Sequence, residues 1–176
     1  MHGKFLSSED RQQLRQRRMA FASTMRWVAG ILLTAVILLN LFTYVIQIVH
    51  YNGNGMSPTI RSGQTLVMLK TQEVESGDII AFYYNNQVLV RRVICTGGSQ
   101  VSIQGDGTVL VDSAELEEPY LQTKSLGQCN TAFPCHVRSG YVFVMGDNRE
   151  VAMDSRLTEI GTIPEARIIG KVLFVI

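Results

Sequence analysis

The chain has 176 residues, 46% hydrophobic and 18% charged, with a net charge of +1 at pH 7. That length holds one domain and a membrane anchor, and excludes a multidomain assembly. A near-neutral balance gives no basic surface for nucleic acid, so the expected partners do not include DNA or RNA.

Residues 1–26 read as a polar tail, in which SSEDRQQLRQRR suits a short helix capped by Ser7 or Ser8. From Val28 to Val49 there follow 22 residues without Asp, Glu, Lys or Arg; Thr34, Asn40, Thr43 and Gln47 are the clearly polar side chains. At about 1.5 Å per residue such a helix crosses a hydrocarbon core of about 30 Å. The run is too long for the apolar segment of a cleavable signal peptide. It also lacks the polar stripe of a buried helix. Trp27 and Tyr51 flank it, as interfacial aromatics do, so the anchor is placed at 27–50. The tail carries Lys4, Arg11, Arg15, Arg17, Arg18 and Arg26 against Glu9 and Asp10, a net of +4, which leaves −3 for the remainder. The positive-inside bias then puts the N-terminus in the cytoplasm and residues 51–176 outside, on a single-pass protein of the cell membrane.

Beyond residue 50 the pattern is β. The segments 66–69, 79–84, 88–95, 101–103, 108–111 and 141–145 are short runs rich in Val, Ile, Phe and Tyr. Asn85-Asn86 and Gly105-Asp106-Gly107 have the composition of hairpin turns. No segment there shows a long helical period. The predicted fold class is mainly β, an outer domain of coiled antiparallel sheets behind one N-terminal transmembrane helix. Cys129 and Cys135 bracket the loop CNTAFPC. A small disulfide loop and a pair of free thiols are both compatible with an oxidising exterior. With His136 these two make no standard zinc pattern, so no metal and no cofactor is expected. Cys95 reads as a small core residue of an apolar strand.

Four boxes recur in a recognisable order: Gly55-Met56-Ser57-Pro58-Thr59; Gly77-Asp78-Ile79-Ile80-Ala81-Phe82; Val90-Arg91-Arg92-Val93-Ile94; and Met145-Gly146-Asp147-Asn148-Arg149 followed by Asp154-Ser155-Arg156. Ile168-Ile169-Gly170-Lys171 fits a closing strand. Together they resemble the type I signal peptidase family, S26, of Gram-positive type. The resemblance implies its β fold and a cleft that takes an extended peptide. It also implies a serine nucleophile and a lysine base whose pKa is lowered by burial.

At those positions this sequence departs from the family. The serine before Met aligns with Gly55, which has no side chain. The lysine aligns with Arg91, and a guanidinium does not surrender its proton in a protein. The serine that orients the lysine aligns with Ala152, and the turn after the third box becomes Cys95-Thr96-Gly97-Gly98-Ser99. No catalytic residue is therefore expected. Ser57 is the weak alternative nucleophile: on a strand it would lie about 7 Å from Gly55 on the same side, and its other reading is a turn residue. Lys70 and Lys171 read as solvated, and His50 and His136 have no serine partner nearby in sequence.

Gly53, Gly55, Met56 and Val90 are the expected peptide contacts. Pro58, Thr59, Arg92, Gly146, Asp147, Asn148, Arg149, Asp154, Ser155 and Arg156 read as scaffold, with Asp–Arg pairs tying loops together. Two functions follow. One is a non-catalytic peptide-binding or chaperone factor; among Gram-positive bacteria the resemblance connects such forms with pilus assembly beside sortases, which would make a pilin or preprotein peptide and a sortase the partners. The other is an active signal peptidase that cleaves preproteins with Ser57.

Overall fold

The computed structural model of this protein describes residues 8–176; of the two expected helix caps, Ser7 lies outside them. The first element, α1 (Ser8–Val45), is one uninterrupted helix that runs through the polar tail and the apolar run alike. Its segment Thr24–Val45 is 22 residues long with a mean hydropathy of 2.2, which gives a length of about 33 Å. Polar groups in it turn back on the helix itself. The Thr34 hydroxyl donates to the Gly30 carbonyl at 2.9 Å and the Asn40 amide to the Val36 carbonyl at 2.9 Å. An apolar, exposed helix with its polar groups satisfied internally fits membrane anchoring.

The apolar run does not stay helical to its end. The helix stops at Val45, and β1 (Ile46–His50) follows, antiparallel to β2 (Thr65–Leu69) with Ile46 opposite Leu69 and His50 opposite Thr65. Residues 46–50 of the expected 27–50 anchor are thus strand rather than helix. Ile46, Ile48 and Val49 are β-branched and suit a strand. In an unbroken apolar stretch, periodicity does not mark where helix gives way to strand.

The remaining strands are β3 (Ile79–Tyr84), β4 (Gln87–Thr96), β5 (Gln100–Ile103), β6 (Val109–Val111), β7 (Ala114–Glu115), β8 (Cys135–His136), β9 (Tyr141–Met145), β10 (Ile163–Pro164) and β11 (Ile168–Val175). They form a seven-stranded sheet in the order β1-β2-β11-β3-β4-β9-β10 and a four-stranded sheet in the order β7-β6-β5-β8. All neighbouring pairs are antiparallel. Asn85 and Asn86 both have positive φ, 44° and 61°, as a two-residue turn between β3 and β4 requires.

Alternation along the central strands divides the core. Ile80 and Phe82 of β3 pack with Val142 and Val144 of β9, and Ala81 faces the opposite cluster with Met56, Leu66, Met68 and Val90. Phe143 and Met145 of β9 join Ile94, Cys95, Val101 and Val109 beneath the small sheet. A bulge between Val93 and Cys95 of β4 lets that strand pass from the cluster of Val93 to that of Ile94 and Cys95. Because both faces of β3, β4 and β9 are buried, loops at their ends are held against a fixed frame.

Candidate functional site

Two loops and the middle of one strand meet at Gly55. The turn from Asn54 to Ile60 is pinned by Met56 and Ile60, both fully buried, and by the Ile60 amide donating to the Met56 carbonyl at 2.9 Å. The Asn148 amide donates to the Gly55 carbonyl at 3.0 Å. That approach needs Gly146: a Cβ there would sit 2.4 Å from the Gly55 carbonyl oxygen and 2.3 Å from the Ala152 Cβ. The loops 53–60 and 146–152 therefore touch backbone to backbone.

Arg91 of β4 fills the space above Gly55. A Cβ on Gly55 would lie 3.1 Å from each of Cζ, Nη1 and Nη2 of the guanidinium. Arg91 is 5% exposed. Its Nε donates to the Met153 carbonyl at 2.8 Å and its Nη1 to the Val90 carbonyl. Burial lowers the pKa of this guanidinium, and Asp154 and then Tyr51 oppose the shift; the group stays a cation at any working pH. Among the described residues, no carboxylate forms an ion pair with it.

Beside this contact opens a cleft of about 240 Å³, lined by the segments 51–55 and 88–91 together with Val151 and Met153. One wall is a free strand edge. β4 pairs with β3 along its whole first half, from Gln87 opposite Tyr84 to Arg92 opposite Ile79. On its other side β9 begins only at Arg92, opposite Met145. The backbone from Gln87 to Arg91 thus has a strand on one side and the cleft on the other.

Of the expected peptide contacts, Gly53, Gly55 and Val90 line the cleft. Met56 does not: its thioether is fully buried with Ile60, Leu66 and Met68 on the core side of the turn. Ser57 stands in a turn rather than on a strand, its amide 3.3 Å from the Asn54 carbonyl, and is not part of the lining. Pro58 follows it through a cis peptide bond. Lys70 is exposed away from the lining, and Lys171 lies 3.3 Å from Asp78. His50 Nδ1 is 2.9 Å from the Thr65 hydroxyl, and His136 belongs to β8.

The remaining motif residues bind loops to sheet. Asp147 accepts from Arg92 at 2.9 and 2.6 Å and from the Thr59 hydroxyl at 2.5 Å. Asp154 is fully buried, accepts from Arg156 at 2.8 Å through each oxygen, and takes the Gly146 amide at 2.9 Å. Arg156 reaches on to the Leu126 carbonyl at 2.8 Å, and the Ser155 hydroxyl accepts the Val144 amide at 3.0 Å. Arg149 pairs with Glu118, both side chains 1% exposed. Arg92 also lies 3.9 Å over the Tyr120 ring. Sequence reasoning missed Glu118 and Tyr120 because they stand outside every box. It gave Tyr51 only an interfacial role, and it passed over Val151 and Met153, whose one signal is that they are apolar within the last box.

The three cysteines are free. For Cys129 and Cys135 the structure takes the thiol reading, with Cys135 in β8 opposite Val101. Burial pushes the Cys95 thiol up to about 12, with Asp112 and Cys135 adding to it, so it is a core residue without nucleophilic character.

Comparison with known proteins gives a consistent picture. The profile of the family described as signal peptidase, peptidase S26, matches residues 24–176. The chain is 32% identical over 171 residues to signal peptidase IB of Staphylococcus aureus strain COL, covering 85% of this chain and 87% of that one. It is 31% identical over 166 residues to signal peptidase I of Bacillus licheniformis, covering 87% and 88%. A crystal structure of a signal peptidase I from Enterococcus faecalis V583 aligns with a TM-score of 0.49 and 29% identity, over 58% of this chain and 97% of the other.

Proposed function

The chain belongs to the signal peptidase, peptidase S26, family, and on that premise we propose that it is a membrane-anchored member which holds an extended peptide and does not cut it. The observation that carries this reading is the Gly55–Arg91 contact. Where a nucleophile would need a side chain there is none, and the space is taken by a guanidinium packed flat against the backbone. A permanently protonated group accepts no proton from an attacking hydroxyl. Ala152, packed on Gly146, offers no hydroxyl either.

Binding is supported by the free edge of β4. An extended chain laid along Gln87–Arg91 gains main-chain hydrogen bonds by strand addition, and Val88, Val151 and Met153 give its side chains apolar surface. The peptide class is that of pilins or preproteins, with a sortase as the assembly partner that the family resemblance implies. In our reading the helix holds the cleft outside the membrane, with the basic N-terminal end in the cytoplasm.

The test is titration of the isotope-labelled full chain in detergent with a signal-like or pilin-derived peptide. Amide shifts confined to 53–55 and 87–91, with the peptide recovered intact, are expected. Absence of any shift there would leave a purely structural role as the better account.

A further inference from the structure

A buried cation with no anion is costly, because desolvation is not repaid by a partner. Arg91 is such a group: 5% exposed, held by carbonyl oxygens at Nε and Nη1, and without an ion pair among the described residues. Asp154, the carboxylate whose field reaches it, is committed to Arg156 and to the Gly146 amide. Two of the five guanidinium N–H donors are spent on carbonyls. The Tyr51 side chain hydrogen-bonds to the group as well, which leaves at most two N–H donors for a carboxylate in the cleft that Arg91 lines.

The sheet fixes where that acceptor comes from. A strand added along β4 has a free edge only from Gln87 to Arg91, since β9 occupies the edge from Arg92 onward. An added peptide therefore has to end or leave the sheet at Arg91. Charge decides which end sits there: an ammonium would be repelled by the guanidinium, and a carboxylate would neutralise it. Resting on the peptide-binding reading above, we propose that the cleft takes the free C-terminal carboxylate of a peptide, held by Arg91, with the peptide running parallel to β4 and its preceding side chains against Val88, Val151 and Met153. The ligand class is thus a finished chain end, such as a peptidase product, rather than an internal peptide bond. Gly55 fits this role, because any side chain there would meet the guanidinium at 3.1 Å and displace it from its place in the cleft lining.

The experiment titrates the full chain in detergent with four probes: an acetylated valine–alanine hexapeptide with a free C-terminus, the same peptide amidated, an amidated version with a central glutamate, and acetate. A charge-assisted pair predicts that the free acid binds roughly ten- to a hundredfold more tightly than the amide. Arg91→Gln should bring the acid down to the amide's affinity, and Arg91→Lys, which keeps charge but loses the fork, should fall between them. Should Arg91→Gln fail to fold, the acid-to-amide ratio on the unmodified protein decides alone. Equal binding of acid and amide, with shifts at 87–91, overturns the carboxylate site and leaves the peptide cleft standing. Absence of shifts from both peptides overturns the cleft itself. Acetate binding as tightly as the acid makes a small carboxylate the ligand, and the glutamate amide matching the acid makes it an internal acidic side chain; either result contradicts a chain end at Arg91.

Discussion

Gly55 and Arg91 are fitted to one another. The glycine has nothing to present, and three atoms of the guanidinium would meet any Cβ placed there at 3.1 Å. Arg91 is pinned to two carbonyls and cannot swing aside freely. Gly55→Ser alone should therefore overpack the site and destabilise the protein by about 1–3 kcal/mol. Adding Arg91→Lys removes the flat group and should restore roughly 1 kcal/mol or more, a coupling visible in a double-mutant cycle. Unfolding of the full chain in detergent, followed by the circular dichroism of its strands, measures both; additive effects would mean that the two side chains do not share this space. The identities at 55, 91 and 152 were legible in the sequence because the neighbouring boxes fix the register. The packing of Arg91 onto Gly55 was not, since it depends on two carbonyl acceptors, Met153 and Val90, that no side-chain pattern reveals. Met56 was misplaced for a related reason: a residue adjacent to a cleft glycine points into the core when the chain turns there.

At the scale of elements, loops are held to strands by charge. The pair of Asp154 and Arg156 is fully buried and ties the 146–156 loop to the Leu126 carbonyl and to the Gly146 amide. Asp154→Ala leaves Arg156 buried without its anion and should cost about 3–5 kcal/mol. Chemical unfolding of the purified chain reads this directly, and a loss below about 1 kcal/mol would show that the pair holds nothing. The strands of the sheet were visible in sequence wherever Val, Ile, Phe and Tyr recur between turn residues, as in β3, β4 and β9. β1 was hidden inside the apolar run, and β7, β8 and β10 are two residues each, too short for any periodicity to register. Glu118, the buried partner of Arg149, lies 31 positions away in a segment with no motif, so only the fold brings the two together.

The whole molecule has two units, an N-terminal helix whose apolar length fits membrane anchoring and a β unit. Protease added outside intact cells should digest the region after residue 51 and spare the basic N-terminal end; the reverse pattern would invert the proposed topology. In our proposal this chain keeps the frame of a signal peptidase without its reaction. Loss of a nucleophile or base lowers turnover by on the order of 10⁶ in a serine protease, and Gly55 and Arg91 provide neither. The direct measurement is incubation of the purified full chain with a preprotein bearing an Ala-x-Ala-type site, beside a catalytically competent signal peptidase as reference. No cleavage above background is expected, and the same silence after Ser57→Ala. Reproducible cleavage by the unmodified chain, abolished by Ser57→Ala, would contradict it and establish an enzyme with a substitute nucleophile.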